Sequence, residues 1–452
     1  MYEENKEARG MTYTGLETYV QQAAFHKTLT RLYGAEGAEK AHSRCMEGME
    51  EFYKIFDRSA EALFSAPGRT EIGGNHTDHQ KGCVLAASVD LDILAAVAPT
   101  QSGIIRVLSQ GYPMIEVDLR ELDPKEEEIN TSAALIRGVA SCMSAMGCDL
   151  RERGLDVYMT STVPKGSGLS SSAAYEVLMG TMLNELFWEG RCTAVELAQI
   201  GQYAENMFFG KPCGLMDQMA SSVGNIITID FADPAHPDVE PVQVDFSQAG
   251  LALCILDSGA DHADLTDEYA AIPNECRAVA AVCGGQVLRD VPFETFIANL
   301  PACRKQCGDR AVLRAFHIYA DNQRVARQVN ALRAGDFETF LQLVNESGTS
   351  SWEYLQNVIP AGYKEHQEVA VTIAAAKHYL GGKGAVRVHG GGFAGFRKDE
   401  IGGGGVELFP RRAVDQHPVF HAGLHGHGDG PGLVEPGSPQ IAVSYTHLRA
   451  HE

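Results

Sequence analysis

The sequence predicts an α+β protein of two domains that divide near Gly250. Three observations favour this fold class. Apolar residues at alternate positions predict strands from Val84 onward, apolar residues at helical spacing predict helices near both ends of the chain, and the two kinds of segment alternate irregularly. At 452 residues, the chain is long enough for each domain to bury its own core.

Residues 1–60 are predicted to form a helical N-terminal extension. Its apolar side chains recur at helical spacing in a polar background: Ala38, Cys45, Met49, Phe52 and Phe56. The segment carries no recognisable chemical motif, so we expect it to pack against the rest of the protein.

Residues 61–250 are predicted to form the first domain, around a mixed or antiparallel sheet. Its strand patterns are "VLAASVDLDILAAVA", "GIIRVLS", "PMIEVDL", "GLDVYMTSTV", "NIITIDF" and "VQVDF". The fourth pattern runs through a glycine and serine segment into a predicted helix with the apolar face Ala174, Leu178, Met182 and Leu186.

Residues 251–395 are predicted to form the second domain. The segment begins with the apolar strand "LALCIL", is mostly helical after Leu313, and returns to a strand pattern in "GAVRVH".

Composition excludes several function classes. The formal net charge of −22, without clusters of Lys and Arg, disfavours a nucleic-acid partner. No apolar run approaches the ~20 residues of a membrane span, and the charged N-terminus lacks the apolar core of a signal peptide, so we expect a cytoplasmic protein with no membrane partner. The 11 cysteines are scattered, and Cys303 and Cys307 lack a second pair to complete a zinc site, which predicts reduced thiols.

The segment "PKGSGLSSSAA" joins a predicted strand to a helix N-terminus. Unpaired N–H groups and the helix dipole make such a position suitable for phosphate, glycines let the backbone approach the anion, and a serine hydroxyl can ligate Mg²⁺. The loop is not a Walker A sequence, since no GK[ST] follows. A serine-capped helix without a ligand is the alternative.

Two further segments carry candidate residues. The stretch "AENMFFGKPCGLMDQMAS" places Glu205, Asp217 and Gln218 among apolar neighbours, and an unpaired buried carboxylate is costly. Asp217 is therefore either functional or a helix cap with its side chain in solvent. The glycine cluster "VHGGGFAG" follows a strand, and alone it is typical of a turn.

Together these segments resemble the galactokinase family. The loop "GRTEIGGNHTDH" is similar to the galactokinase signature, "PKGSGLSSSAA" to the phosphate-binding loop of the wider GHMP group (galactokinase, homoserine, mevalonate and phosphomevalonate kinases), and "VHGGGFAG" to the third motif of that group. "CGLMDQ" and "HADLTDEY" are also similar to galactokinase segments and lie in the expected order, between the second and third motifs. The resemblance therefore covers about residues 65–395. It implies the two-domain GHMP kinase fold, with a ferredoxin-like C-terminal domain and the site between the domains.

The resemblance implies that ATP and Mg²⁺ are used to phosphorylate the anomeric hydroxyl of galactose, in a monomeric enzyme. The alternatives are a kinase for another hexose, such as N-acetylgalactosamine, and a non-catalytic sensor of galactose and ATP. The presence of Arg69, Asp217 and an uninterrupted phosphate loop favours an enzyme.

The resemblance also assigns roles to residues. Asp217 would orient the attacking hydroxyl or accept its proton, and Arg69 would keep that carboxylate ionised and neutralise charge in the transition state. The sugar would be bound through directed polar contacts by Asn75, His76, Asp78 and Tyr269. The ATP phosphates would be held by Gly166, Ser167, Gly168, Leu169, Ser170, Ser171 and Ser172. Ser172 and Glu205 would carry Mg²⁺.

The signature departs from the family pattern at three positions. Asn75 replaces the usual glutamate, Glu71 the usual asparagine and His79 the usual tyrosine. Asparagine still bonds a hydroxyl, but it donates as well as accepts. Galactose therefore remains the expected sugar, while His79 and Glu71 are expected to be supporting or solvated residues.

The largest departure is residues 396–452, which lack sustained periodicity and are rich in Gly and His. We interpret this segment as an aberrant, disordered tail produced by a frameshift, which would leave the second domain without its final strand and helix. A metal-binding tail using His421, His425 and His427 is the alternative.

Overall fold

The computed structural model describes residues 15–164, 168–211, 213–246, 249–256, 258, 266–392 and 406–410. The helices are α1 Gly15–Tyr19, α2 Ala23–Phe56, α3 Ser132–Ala145, α4 Ser171–Phe187, α5 Ala194–Ala204, α6 Met216–Val223, α7 Thr266–Val282, α8 Phe293–Ala298, α9 Leu300–Cys307, α10 Asp309–Ala334, α11 Phe337–Ser350 and α12 Glu368–Leu380. The strands are β1 Ala62–Gly73, β2 Cys83–Thr100, β3 Ile104–Ser109, β4 Ile115–Asp118, β5 Gly154–Ser161, β6 Ile226–Asp230, β7 Asp238–Pro241, β8 Cys254–Leu256, β9 Gly384–Val388 and β10 Val406–Pro410.

The larger sheet is mixed, as the alternating patterns predict. Its order is β4-β3-β5-β2-β6-β7, and β1 pairs with β2. The pair β3 and β5 is parallel, and the other pairs are antiparallel. The long strand β2 is central because it pairs with β1 along most of its length and with both β5 and β6.

Strand β1, which carries the start of the polar signature, is buried along its whole length. Successive side chains of a strand point to opposite faces, so Phe64 packs with the core of α3, α4 and α5 while Leu63 packs against α2. The predicted N-terminal helix therefore exists as α2, kinked at Gly34, and it covers one face of the sheet. Arg44 on α2 also forms an ion pair with the buried carboxylate of Asp92 on β2.

The helices of the second half pack against the other end of β1 and β2. Ile72 and Leu85 share a core with Val325 on α10 and Phe340 on α11. The polar signature that follows β1 consequently lies where the two halves of the chain meet. Among the described helices, none is both long and apolar enough to cross a membrane.

A second, three-stranded sheet has the order β8-β10-β9. Its central strand β10 comes from the tail, where the sequence analysis expects no strand, so that expectation is wrong for residues 406–410. The five-residue segment "VELFP", between a glycine run and two arginines, is too short to show strand periodicity. Its partner strands β8 and β9 lie elsewhere in the chain, so the pairing could not be read from the segment itself. The other tail residues lie outside the described ranges.

Candidate active site

Arg69 and Asp217 form a two-point ion pair at the centre of the site. Arg69 lies on β1 and Asp217 in the first turn of α6. The Arg69 Nε atom is 2.7 Å from Asp217 Oδ1, and Nη2 is 2.6 Å from Oδ2. Ser170 Oγ donates a third hydrogen bond to Oδ2 at 2.7 Å. The planar guanidinium thereby fixes the plane of the carboxylate as well as its position.

The electrostatics keep Asp217 ionised. Burial favours the neutral acid, but the charge of Arg69 and its hydrogen bonds outweigh burial and lower the pKa of Asp217 to about 2. The carboxylate side chain is still 27% exposed, so one side of it remains accessible. This group is a weak base and a strong hydrogen-bond acceptor.

The described part of the phosphate loop packs directly against the signature. Arg69 N donates to Leu169 O at 3.0 Å, and Arg69 Nη1 donates to Gly168 O. Ser170 precedes α4 at the N-cap position, but its side chain makes no capping hydrogen bond. Its φ of 56° is uncommon for a residue with a side chain, and Ser171 begins the helix. Two predicted phosphate ligands, Gly166 and Ser167, lie outside the described residues.

His389, the second residue of the third motif "VHGGGFAG", contacts the other two motifs. Its Nε2 atom is 3.0 Å from Gly168 O and its Nδ1 atom is 3.3 Å from Thr70 Oγ1. Burial and then the neighbouring Arg69 charge lower the pKa of His389 to about 3. The ring is therefore neutral at physiological pH, and the carbonyl partner requires that Nε2 carry the proton.

The predicted sugar-binding residues His76, Asp78 and Tyr269 lie together with His79. The His76 and Tyr269 rings are 5.1 Å apart, and His79 Nε2 is 3.2 Å from the Tyr269 hydroxyl. A side chain at Gly391 would place Cβ 2.6 Å from the Tyr269 ring, so the glycine motif closes against this group. The signature, α7 and the third motif thus meet at one place.

The protonation states suit binding of hydroxyl groups. Burial and then His79 lower the pKa of His76 to about 3. Its Nε2 atom is 3.1 Å from Gly391 O and so carries the proton, which leaves Nδ1 as an acceptor. Burial, followed by the charges of Asp78 and Asp217, raises the pKa of the Tyr269 hydroxyl well above its usual value, so the phenol remains a donor.

Asn75 lies inside the protein, which argues against the predicted contact with sugar. The residue is fully buried. Its Nδ2 donates to Glu71 Oε1 at 3.0 Å and to Gly390 O at 2.7 Å, while its Oδ1 accepts from Asn357 Nδ2 at 2.8 Å and Ser351 Oγ at 3.2 Å. All four hydrogen-bonding positions of the amide are used inside the protein. Asn75 therefore supports the loop and joins it to the second half of the chain.

Glu71 takes part in the same internal network. Its carboxylate accepts from Asn75 and from the buried Arg387 on β9. Burial raises the pKa of Glu71 to about 7, although the charge of Arg387 acts in the opposite direction. Glu71 is therefore a buried structural residue rather than a solvated one.

The two predicted metal-binding residues, Ser172 and Glu205, are in direct contact. Ser172 Oγ is 3.0 Å from Glu205 Oε1, and Gln218 Nε2 is 2.8 Å from Oε2 of the same buried carboxylate. Hydroxyl and carboxylate oxygens are the ligands that Mg²⁺ prefers. Nearby Glu176 adds a buried oxygen, Oε1, that has no hydrogen-bond partner among the described residues. This donor set fits a magnesium ion that is completed by the phosphates of a nucleotide.

Sequence reasoning missed three residues of this region. Glu176 is an acid in the apolar run "SSAAYEVLMG". An acid among apolar neighbours indicates a buried functional group, so the sequence contained a signal for this residue. His389 directly precedes a glycine run, and Lys211 directly follows Gly210 in the stretch that holds Glu205 and Asp217. The contacts of His389 depend on distant segments, so spacing alone could not reveal them. Lys211 meets Glu205, six residues before it, through a π-helical turn that the sequence pattern does not predict.

Comparisons with known proteins identify relatives of this chain. Residues 134–225 match the GHMP kinases N terminal domain, and residues 50–99 match the galactokinase galactose-binding signature. A galactokinase of Streptomyces coelicolor is 30% identical over 371 residues, which are 81% of this chain and 91% of the relative. A galactokinase of Actinobacillus pleuropneumoniae is 34% identical over 339 residues, which are 75% of this chain and 84% of the relative.

Among solved structures, Lactococcus lactis galactokinase complexed with galactose superimposes with a TM-score of 0.68. The alignment is 24% identical and covers 80% of this chain and 89% of that chain. This similarity shows a shared fold, in which a mixed sheet and flanking helices carry the site described above.

Proposed function

The chain belongs to the galactokinase family of the GHMP kinases, which are ATP-dependent, and on this premise we propose that its Arg69–Asp217 site phosphorylates galactose at the anomeric hydroxyl. The observation that carries the proposal is the two-point ion pair of Arg69 with Asp217, positioned by the Gly168 and Ser170 end of the phosphate loop.

In the proposed reaction, the anomeric oxygen forms a bond to the γ-phosphorus of ATP. The bond between that phosphorus and the β,γ-bridging oxygen breaks, ADP leaves, and the hydroxyl proton passes to solvent. Phosphoryl transfer depends mainly on positioning and on electrostatic stabilisation. The products are a sugar 1-phosphate and ADP.

Asp217 supplies the positioning. A carboxylate has about four acceptor sites, and the contacts with Arg69 and Ser170 use two sites on Oδ2 and one on Oδ1. The remaining site on Oδ1 can accept the anomeric hydroxyl and direct its oxygen toward phosphorus. Because the pKa of Asp217 is about 2, this orienting contact matters more than full proton abstraction.

Arg69 and the sugar wall complete the site. Arg69 adds positive charge beside the transferred phosphoryl group, in which negative charge is redistributed in the transition state. His76, Asp78 and Tyr269 offer an acceptor nitrogen, a carboxylate and a phenolic donor for the other sugar hydroxyls. Mg²⁺, held by Ser172 and Glu205, would neutralise the phosphate chain of ATP.

The test is to incubate the purified protein with ATP, Mg²⁺ and a panel of hexoses that includes galactose, glucose and N-acetylgalactosamine. We expect ³¹P NMR to show a sugar 1-phosphate with galactose as the best acceptor. Preference for N-acetylgalactosamine would reassign the sugar, while binding of galactose and ATP without product would favour a sensor. A cytoplasmic monomer remains our sequence-based proposal, and size-exclusion chromatography tests the monomer.

A further inference from the structure

Lys211 is placed over Glu205 by the backbone that follows α5. Residues Glu205–Phe209 form a π-helical turn that ends at Gly210 with a φ of 88°, a left-handed conformation that favours glycine. The N–H groups of Gly210 and Lys211 both donate to Glu205 O, at 3.1 and 3.2 Å. These two hydrogen bonds reverse the chain direction and bring the Lys211 side chain to the Glu205 carboxylate.

The contact between the two side chains is loose. Lys211 Nζ lies 3.4 Å from Glu205 Oε1, whereas charge-assisted N–H···O bonds are usually about 2.7–2.9 Å. The lysine side chain is 39% exposed, while Glu205 is buried and also bonded by Ser172 and Gln218. An ammonium carries three donors, and the described residues give Lys211 this one ionic partner.

Lys211 also lies near the reacting groups. Its charge interacts with Asp217 as well as with Glu205, so the ammonium lies near both the predicted metal ligand and the predicted orienting carboxylate. Three of the five N–H groups of Arg69 already bond Asp217 and Gly168. Lys211 uses one ionic contact among the described residues, so its ammonium has donors left for an incoming anion.

We propose that Lys211 binds the phosphate chain of ATP and leaves Glu205 when Mg²⁺ arrives with the nucleotide. This inference rests on the proposed function, to which it adds a phosphate-binding residue. Without nucleotide, the ammonium neutralises the buried Glu205 carboxylate. With the metal on Glu205, like charges repel the ammonium, and its flexible four-carbon stem lets it turn to the phosphates.

Lys125 provides a matched control. Its Nζ atom also lies 3.4 Å from a glutamate oxygen, that of Glu121, and its side chain is 33% exposed, outside the site. Lys211→Met and Lys125→Met remove the same group from ion pairs of the same length. Lys211→Arg keeps the charge at residue 211.

The first measurement is binding of ATP together with Mg²⁺ by calorimetry in the absence of sugar, which reports on Lys211 without turnover. We expect Lys211→Met to weaken ATP binding at least tenfold, Lys211→Arg to retain most of it, and Lys125→Met to match the wild type. The second measurement is binding of Mn²⁺ alone, a spectroscopic substitute for Mg²⁺. Removal of the competing ammonium should tighten it severalfold in Lys211→Met.

Unchanged ATP affinity in folded Lys211→Met would overturn the proposal. A lowered melting temperature combined with wild-type ATP affinity would likewise show that Lys211 only stabilises Glu205. If the wild type formed no sugar phosphate with any hexose, the proposed function would fail, yet the ATP measurement would still decide the role of Lys211.

Discussion

Arg69 binds both carboxylate oxygens of Asp217, with Nε 2.7 Å from Oδ1 and Nη2 2.6 Å from Oδ2, although the two residues are far apart in the sequence. The pair joins strand β1 to the first turn of α6. The same guanidinium bonds Gly168 O, so the position of the orienting carboxylate is tied to the position of the phosphate loop. Changes to either partner should therefore affect the chemical step more than the binding of either substrate.

Asp217→Asn is expected to lower kcat at least about tenfold while ATP affinity stays nearly unchanged, because the lost charge acts mainly in the transition state. Steady-state kinetics and calorimetry measure the two quantities. Asp309→Asn is the matched control, since Asp309 accepts from Arg304 Nε at 2.7 Å in an exposed pair outside the site. An Asp217→Asn enzyme with wild-type kcat would remove Asp217 from the mechanism.

Removal of Arg69 should change the pH dependence of the reaction. In the wild type, the pKa of Asp217 is about 2, so the carboxylate stays ionised at all pH values at which activity is usually measured. In Arg69→Met, burial acts without the charge of Arg69, its largest opposing influence, and the pKa of Asp217 should rise above its ordinary value of about 3.8. The acid limb of kcat/KM should then move to higher pH, whereas Arg69→Lys should move it less. Superimposable pH profiles for the three enzymes would contradict this electrostatic coupling.

The sequence supports prediction of the site better than prediction of its supporting network. Short sequence motifs are enough to identify four candidate site residues: Arg69, Asp217, Ser172 and Glu205. Their pairing follows once β1, α4 and α6 meet around the mixed sheet. Asn75 shows the limit of this reasoning, because its position in a sugar-binding signature says nothing of Asn357 and Ser351, which saturate its amide from the second half of the chain. Whether a polar side chain faces a ligand or the interior is decided by such distant partners.

Asn75→Ala is expected to destabilise the protein by about 2–4 kcal/mol, because it removes a hydrogen-bond partner from each of the buried Asn357 Nδ2, Ser351 Oγ and Gly390 O. Urea unfolding measures this loss. The ratio of kcat/KM for galactose to that for N-acetylgalactosamine should stay within about twofold of the wild type, since the amide does not face the sugar. Asp78→Asn is the comparison, and it should raise KM for the sugar. A changed sugar ratio at wild-type stability would restore Asn75 to the binding wall.

Glu71→Gln tests the buried pair with Arg387. A carboxylate whose folded pKa is raised to about 7 binds its proton more tightly in the folded state, so its contribution to stability falls as pH rises from about 4.5 to about 7 and is constant above that range. The free energy of unfolding of the wild type, plotted against pH, should therefore include a negative slope between about pH 4.5 and about pH 7. The curve for Glu71→Gln should lack this component. Parallel curves for the two proteins would show that Glu71 is ionised throughout, with the Arg387 charge dominating burial.

The last prediction concerns β10, the central strand of the second sheet. Chains that end at Gly405 and at Arg411 differ by six residues, and only the longer one keeps the strand that pairs with both β8 and β9. Each backbone hydrogen bond contributes about 1 kcal/mol net, so the shorter chain should be less stable by on the order of 3 kcal/mol or more. Because β9 leads directly into His389 and the glycine motif beside Tyr269, the shorter chain should also show a raised KM for sugar. Urea unfolding and kinetics compare the two chains, and equal stability would mean that β10 adds nothing to the sheet.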